Sequence, residues 1–283
     1  MPVPGLDALS LFLGGLAFLA LLGAGLWGPR AWRAWQRHRI VRQPFPAEWR
    51  SILRRRMPLM RRLPVDLQLQ LKRHMQVFLA EKPFIGCNGL TVTEEMRVLV
   101  AAQACLLILN RPTDYFANLR QVLLYPSAYW ATRSEGDGTG VQHERREARS
   151  GESWVQGQVI LSWPDVLAGA ADPTDGQNLV IHEFAHQLDQ ERGRATGAPY
   201  LGHRSRYARW AAVMGGEFRL LREALARGEQ TLLSPYAATE PAEFFAVASE
   251  VFFEQPHAMA ERHGALYQEL SHYYGVNPLG WQG

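Results

Sequence analysis

The chain has 283 residues, of which 47% are hydrophobic, which is enough for a sizeable core beside an N-terminal apolar segment. The formal net charge is +3, but at least five arginines lie close to the N terminus. The remainder is therefore near neutral or slightly acidic, and direct nucleic-acid binding is not expected. Cys87 and Cys105 are the only cysteines, which excludes a disulfide framework and fits a reducing compartment.

Residues 6–27 are almost wholly apolar, with Asp7 as the only charge. A run of about 22 such residues can cross a hydrocarbon core of roughly 30 Å as one helix. The aromatic and basic residues around its end are typical of the cytoplasmic side of a membrane: Trp27, Trp32, Trp35, Arg30, Arg33, Arg37, Arg39 and Arg42. We therefore predict a single-pass anchor with a basic juxtamembrane segment over residues 1–43, and a cytoplasmic domain over 44–283 at the inner membrane.

Two alternatives remain for this apolar run. It could be a helix that packs on the domain of a cytoplasmic protein. A cleaved secretory signal is less favoured, because no positive charge precedes the run and no clear small-residue cleavage site follows it.

The hydrophobic pattern of the remaining chain predicts a mainly helical α+β domain with a small sheet. Residues 132–151 are polar and contain several glycines, which predicts a surface loop or a hairpin that could cover a cleft. Thr93 is a suitable N-cap for the third of the predicted helices. Helices are predicted over 49–57, 66–81, 94–109, 205–227 and 258–273, and strands over 121–125 and 155–163.

The sequence His-Glu-Phe-Ala-His, residues 182–186, lies in a segment that is predicted to be a partly buried helix. Residues four apart share one face of a helix, so His182 and His186 can direct nitrogen atoms at one metal ion. Glu183 then lies beside the position where a water would bind the metal. Asp189, three residues after His186, either holds the second nitrogen of that ligand or is a solvated residue at the helix end.

A catalytic zinc site needs a third protein ligand. The histidine of the longer motif HExxHxxGxxH is absent here, but residues 234–254 contain a predicted helix that begins at Pro241, with Thr239 as a plausible N-cap. Glu243 and Glu250 share one stripe of this helix, where a carboxylate is costly unless it is paired or bound to metal. Periodicity alone does not choose among the glutamates of this segment, which are Glu240, Glu243, Glu250 and Glu254.

The two segments together resemble the zinc peptidases of the Mlc titration factor A family and, more distantly, the gluzincin-like protease domain of the anthrax lethal factor. The first segment is His-Glu-Phe-Ala-His-Gln-Leu-Asp, and the second is Ser-Pro-Tyr-Ala-Ala-Thr-Glu-Pro-Ala-Glu-Phe-Phe-Ala. In both groups a tyrosine precedes the third ligand by seven residues, and Tyr236 and Glu243 reproduce that interval. The resemblance covers roughly residues 45–283.

This resemblance implies a zincin-like metallopeptidase domain that binds one Zn²⁺ per chain. Glu183 would be the general base, and Tyr236 would stabilise the oxyanion. Glu250 would lie in the shell around the ligands or pack on a neighbouring helix. The implied metal ligands are His182, His186 and Glu243.

Peptidases of this kind also have an edge strand beside the metal helix that binds an extended substrate by strand addition. We predict that Val159, Ile160, Leu161, Ser162 and Trp163 form this strand. The expected partners are then peptide or protein substrates. The alternative is a membrane-tethered binding protein that sequesters a transcriptional repressor, because a member of the resembling family captures such a repressor. The presence of Glu183 beside the histidines favours catalysis.

Overall fold

A computed structural model describes residues 13, 28–127, 129–136, 142–149, 151–154 and 157–281. The chain divides into two compact units, Met1–Pro44 and Phe45–Gly283. In the first unit the described part is a helix over residues 28–41, on which the exposed Trp32 and Trp35 rings stack with centroids 4.9 Å apart.

The predicted membrane span, residues 6–27, lies outside the described residues apart from Leu13, and it stays a prediction. Among the residues that the structure does describe, no helix combines the length and the apolar character needed to cross a bilayer.

The second unit is mainly helical and has a small sheet, which confirms the predicted α+β class. Two short 3-10 helices, Pro235–Ala238 and Pro278–Gly280, accompany the α-helices. The α-helices are α1 (Ala47–Arg56), α2 (Leu59–Arg62), α3 (Val65–Glu81), α4 (Glu94–Leu106), α5 (Trp163–Ala171), α6 (Leu179–Asp189), α7 (Arg204–Ala226), α8 (Pro241–Glu254), α9 (Pro256–Arg262) and α10 (Gly264–Tyr274).

The strands are β1 (Phe84–Gly86), β2 (Gln121–Tyr125), β3 (Tyr129–Gly136), β4 (Gln142–Arg149), β5 (Gly151–Trp154) and β6 (Gln158–Ser162). Four of them form one sheet in the order β1-β2-β6-β5. The first three strands in that order are parallel, and β5 is antiparallel to β6. β3 and β4 pair as a separate antiparallel hairpin, so of the two structures predicted for residues 132–151, a surface loop or a hairpin, the segment contains the hairpin.

The prediction that residues 159–163 form an edge strand is wrong. Val159, Ile160, Leu161 and Ser162 lie in β6, which is hydrogen-bonded to β2 on one side and to β5 on the other. Trp163 is the first residue of α5. The apolar run of β6 is typical of an interior strand. Its neighbour β5 has only four residues and begins with a glycine, so its sequence carries little strand signal.

The predicted helix over residues 258–273 is two helices, α9 and α10. They are separated at His263, whose backbone has φ −134° and ψ 49° and so leaves the helical region. The imidazole Nδ1 of His263 lies 2.8 Å from Glu217 Oε2 on α7. Apolar periodicity continues on both sides of this break, so the local pattern predicts one helix.

Helix α6 is held at the centre of the core by one apolar face. The Phe184 ring packs edge to face on Phe116, with centroids 4.9 Å apart, and lies 5.7 Å from Phe78. The loop that carries Phe116 is itself held by the buried Lys82, whose Nζ donates to the carbonyl oxygens of Phe116 and Leu119 at 2.7 and 2.9 Å. Because this face of α6 is fully packed, its other face is available for a site.

Candidate metal centre

Helix α6 begins after Asn178, whose side-chain Oδ1 accepts a hydrogen bond from the backbone N–H of Ile181 at 3.0 Å. Asparagine is among the preferred N-cap residues because its side chain satisfies a backbone donor that the helix leaves free. One turn further on, His182 and His186 lie on the same face, with ring centroids 4.9 Å apart. The helical spacing therefore brings both imidazoles together, as predicted.

Helix α8 supplies the third side chain. It begins at Pro241, and its N-cap residue is Glu240, whose side chain makes no capping hydrogen bond. Thr239, the N-cap predicted from the sequence, belongs to the preceding turn, and its hydroxyl donates to the carbonyl oxygen of Tyr236 at 2.8 Å. Glu243 lies in the first turn of α8 and reaches both imidazoles.

Three donor atoms converge at this point. Glu243 Oε2 lies 2.9 Å from His182 Nε2 and 3.3 Å from His186 Nε2, and the two Nε2 atoms are 3.2 Å apart. Two ligands of a tetrahedral zinc ion, each about 2.1 Å from it, are roughly 3.4 Å apart. The side chains therefore fit one divalent ion. Within the described ranges, this is the one group of three histidine, cysteine or acidic residues with such a geometry.

The charges of the three side chains depend on one another. Burial by itself would lower the pKa of His182, but the Glu243 and Glu250 carboxylates raise that pKa well above its usual value. Burial would likewise raise the pKa of Glu243, but the hydrogen bonds with His182 and His186 lower it. The two carboxylates thus favour the protonated form of His182 in the metal-free protein, and a metal ion that binds Nε2 would have to displace a proton.

The two residues predicted to act on a substrate lie beside this centre. Glu183 is 4% exposed, and its charge contributes to the raised pKa of His182. Tyr236 lies in the 3-10 helix before α8, is 54% exposed, and has its ring centroid 6.0 Å from that of His182. One group is thus buried against the centre and the other faces solvent next to it.

Glu250 lies behind the first histidine. Its Oε1 is 2.8 Å from His182 Nδ1, and its Oε2 accepts from the backbone N–H of Asn178 at 2.5 Å. Since a carboxylate only accepts, Nδ1 of His182 is the donor and Nε2 is left to face Glu243. This carboxylate therefore sets the orientation of the ring.

Asp189 does neither of the two things predicted for it. It is buried, not solvated, and its Oδ2 accepts from the backbone N–H groups of Thr196 and Gly197 at 2.7 and 2.6 Å. No hydrogen bond joins it to Nδ1 of His186, which is buried without a partner. Burial raises the pKa of Asp189. Its role is to hold the loop that follows α6, and local helix spacing could not reveal that contact.

Sequence reasoning missed two elements that surround the centre. Asn178 is not identified from the sequence as the N-cap of α6, although the preference of asparagine for N-caps is a usable signal. β5, which lies alongside α6, was missed because its four residues gave no strand pattern.

The family model described as glucose-regulated metallo-peptidase M90 matches residues 32–275, a span that includes α6 and α8. The chain belongs to this family of metallo-peptidases. The resemblance to Mlc titration factor A proteins is thereby confirmed, and the family name together with the three converging side chains indicates a metal ion at this centre.

Individual relatives also match most of the chain. An uncharacterised protein of Synechocystis sp. is 37% identical over 98% of this chain and 98% of its own length. The Mlc titration factor A of Cronobacter sakazakii is 34% identical over 88% of this chain and 91% of its own. That of Escherichia fergusonii is 32% identical over 87% and 91%.

Proposed function

We propose that the protein is a zinc-dependent peptidase that binds one Zn²⁺ per chain through His182, His186 and Glu243. The observation that carries this proposal is the convergence of two imidazoles and one carboxylate, 2.9–3.3 Å apart, in a member of a metallo-peptidase family. Two histidines and a glutamate are a ligand set of catalytic zinc, which keeps a fourth position open. A zinc ion there would lower the pKa of a coordinated water to about 7 and polarise a substrate carbonyl.

Glu183 is the proposed general base. It follows the first ligand directly on α6 and is almost fully buried against the centre, so its carboxylate is shielded from bulk water. In peptide hydrolysis it takes a proton from the attacking water. The same carboxyl group then passes that proton to the amine that leaves, and water is consumed with one peptide bond.

Tyr236 is the proposed donor to the oxyanion that forms on the substrate carbonyl. Tyr236 lies in a short 3-10 helix that brings its phenol ring close to the His182 ring. More than half of the tyrosine is exposed, so an incoming substrate can reach it. A phenolic O–H is a suitable donor for such an oxyanion.

We propose that β5, and not β6, is the strand that binds substrate. Among the described strands, β5 is at the edge of the four-stranded sheet, since it pairs with β6 on one side only. It also lies beside α6, which carries two of the ligands. An extended peptide that pairs with this free edge would pass along the metal helix, as in strand addition at other sheet edges.

Peptide hydrolysis by the full-length protein tests the reaction. The Glu183→Gln variant should keep stoichiometric zinc but lose turnover by at least about 100-fold, because general acid–base catalysis contributes about 10² to 10⁴. Glu240→Gln is the matched control, since Glu240 is an exposed acid three residues before Glu243 and makes no capping bond. Equal, metal-independent activity of wild type and Glu183→Gln would refute the proposal.

A second candidate function is the capture of a transcriptional repressor. It is supported by relatives at 32–34% identity that are named for the titration of Mlc. Binding of a purified Mlc-type repressor by the Glu183→Gln variant, measured by calorimetry, tests this function apart from hydrolysis. A wild-type protein that binds zinc and the repressor but cleaves no peptide would favour this second function.

Attachment to the inner membrane through residues 6–27 remains part of the proposal, with a cytoplasmic protein as the alternative. Fractionation of cells that express the full chain tests it. Recovery in the membrane fraction after a carbonate wash would support the anchor, and recovery in the soluble fraction would refute it.

A further inference from the structure

The start of α6 is fixed to its surroundings through every polar group of Asn178. Its backbone N–H donates to Glu250 Oε2 at 2.5 Å, and its Nδ2 donates to Glu254 Oε1 at 2.9 Å and to the carbonyl of Gly169 at 3.1 Å. Its Oδ1 accepts from Ile181, and its own carbonyl accepts the first helical hydrogen bond. One residue thus joins α5, α6 and α8.

Burial of the two glutamates that contact Asn178 costs free energy of folding. Glu250 and Glu254 lie one turn apart on α8, are 7% and 4% exposed, and meet Asn178, which is 3% exposed. Acidic residues four apart on a helix repel each other, and buried carboxylates are less stable than apolar side chains of similar volume. Packing alone therefore does not account for this pair.

Protonation of Glu254 reduces part of the free-energy cost of burying the two carboxyl groups. Burial, with further contributions from Asp175 and Glu250, raises the pKa of Glu254 to about 8 against the opposing effect of the Asn178 hydrogen bond. At neutral pH its carboxyl group is mostly protonated. It then holds the Asn178 amide as a neutral acceptor and adds no second full charge beside Glu250.

We propose that Asn178 is a positioning residue of the metal centre, and that Glu254 acts with it. Glu250 orients His182 through the 2.8 Å contact with Nδ1, and the other oxygen of the same carboxylate is held by the Asn178 backbone. The side chain of Asn178 fixes that backbone against α5 and Glu254. The inference rests on the proposed function only in that the centre binds a metal ion.

The same chain contains a cap that serves as a control. Thr93 caps α4 by accepting from the backbone N–H of Met96 at 3.3 Å, within its own helix and on an exposed surface. Loss of the cap itself should destabilise either helix by about 1 kcal/mol, and Asn178→Ala also removes buried hydrogen bonds to Glu254 and Gly169. Asn178 differs because it also joins two other elements, one of which holds a predicted ligand.

The test is a zinc competition titration with a chromophoric chelator, accompanied by the visible spectrum of the Co²⁺-loaded protein. In the full-length protein, Asn178→Ala should weaken zinc binding by about 10- to 100-fold and change the Co²⁺ bands, as expected for a lost outer partner of a ligand. Thr93→Ala, which removes a cap far from the centre in sequence, should leave the zinc affinity within about twofold and the bands unchanged.

A second pair of variants decides the matter if Asn178→Ala does not fold. Glu254→Gln retains a neutral oxygen that can accept from the Asn178 amide, so zinc affinity should stay within about twofold of wild type. Glu254→Ala removes the acceptor and should weaken zinc binding by about tenfold.

Folded Asn178→Ala and Glu254→Ala proteins with wild-type zinc affinity and Co²⁺ bands would overturn the inference, and Asn178 would be a helix cap alone. Because the readout is metal binding, a wild type that binds zinc but cleaves no peptide refutes only the proposed reaction. A wild type that binds neither zinc nor Co²⁺ would refute both.

Discussion

The two helices that form the metal centre differ in how far local sequence predicts which of their side chains reach the metal site. On α6, the spacing of His182 and His186 already places both imidazoles on one face. Four glutamates occur in and just before α8, and only Glu243 reaches the Nε2 atoms of both imidazoles. Glu250 contacts Nδ1 of His182, and both Glu250 and Glu254 contact the start of α6. Ligands within one helix follow from its period, whereas a ligand from another helix depends on how the two helices pack.

The largest effect is expected from Glu243→Gln, which breaks the contribution of α8 to the centre. An amide is a poor zinc ligand compared with a carboxylate, so stoichiometric zinc and peptide turnover should both be lost. Zinc content of the purified full-length protein, measured by emission spectrometry, checks this. Glu240→Gln is the control from the same turn, and retention of full zinc by Glu243→Gln would remove Glu243 from the ligand set.

A pH-dependent effect is expected from Glu254 on the back of α8. Its pKa rises from 4.5 to about 8 on folding, so its contribution to stability is present below pH 4.5 and is lost as the pH rises through 8. At about 1.4 kcal/mol per pKa unit, the loss between pH 5 and 8 amounts to a few kcal/mol.

Urea unfolding of the metal-free protein at these two pH values measures that loss. Glu254→Gln should be less sensitive to pH than wild type over this window, because the amide does not titrate. Other groups contribute to the pH dependence of both proteins, so the difference between them isolates Glu254. Identical pH dependence of the two proteins would contradict the prediction.

An intermediate effect is expected where the loop after α6 meets the start of α8. Gly197 has φ +74°, and a Cβ atom there would lie 2.3 Å from the carbonyl oxygen of Pro241. Gly228 has nearly the same φ, +72°, with no atom within 4 Å of a Cβ. Gly197→Ala should therefore destabilise the fold by about 2 kcal/mol more than Gly228→Ala, because both share the backbone strain but only one requires α8 to move.

Thermal unfolding of the two glycine variants gives this difference, and zinc titration shows whether Glu243 has moved with α8. Equal melting temperatures of the two variants would mean that the loop after α6 shifts to accommodate the added Cβ atom while α8 stays in place.

The smallest effect is expected from Thr239→Ala. A true N-cap loses about 1 kcal/mol on this substitution, but Thr239 is exposed and bonds only to the preceding turn. The free energy of unfolding should change by less than about 0.5 kcal/mol. Thr93→Ala, which removes an observed cap, is the comparison, and an equal loss in both variants would restore Thr239 as the cap of α8.

The strands, like the helices, show which features follow from local sequence and which depend on the packing of distant segments. The apolar run of β6 predicts a strand correctly, but whether a strand is interior or at an edge depends on which segments pair with it. β5 has four residues and little pattern of its own, yet it occupies the edge beside α6. Asp189 shows the same limit, since its partners are backbone groups seven and eight residues further along the chain.

The amino-acid sequence by itself determined the α+β class, most helices and the pairing of His182 with His186, because these follow from hydrophobic periods of two and 3.6 residues. Two short motifs were enough to indicate the family. Tertiary structure alone decided which glutamates hold the start of α6, which of the described strands lies at the edge of the sheet, and what Asp189 contacts. The physical reason is that hydrogen bonds between distant segments depend on packing, and local periodicity carries no information about which segments become neighbours.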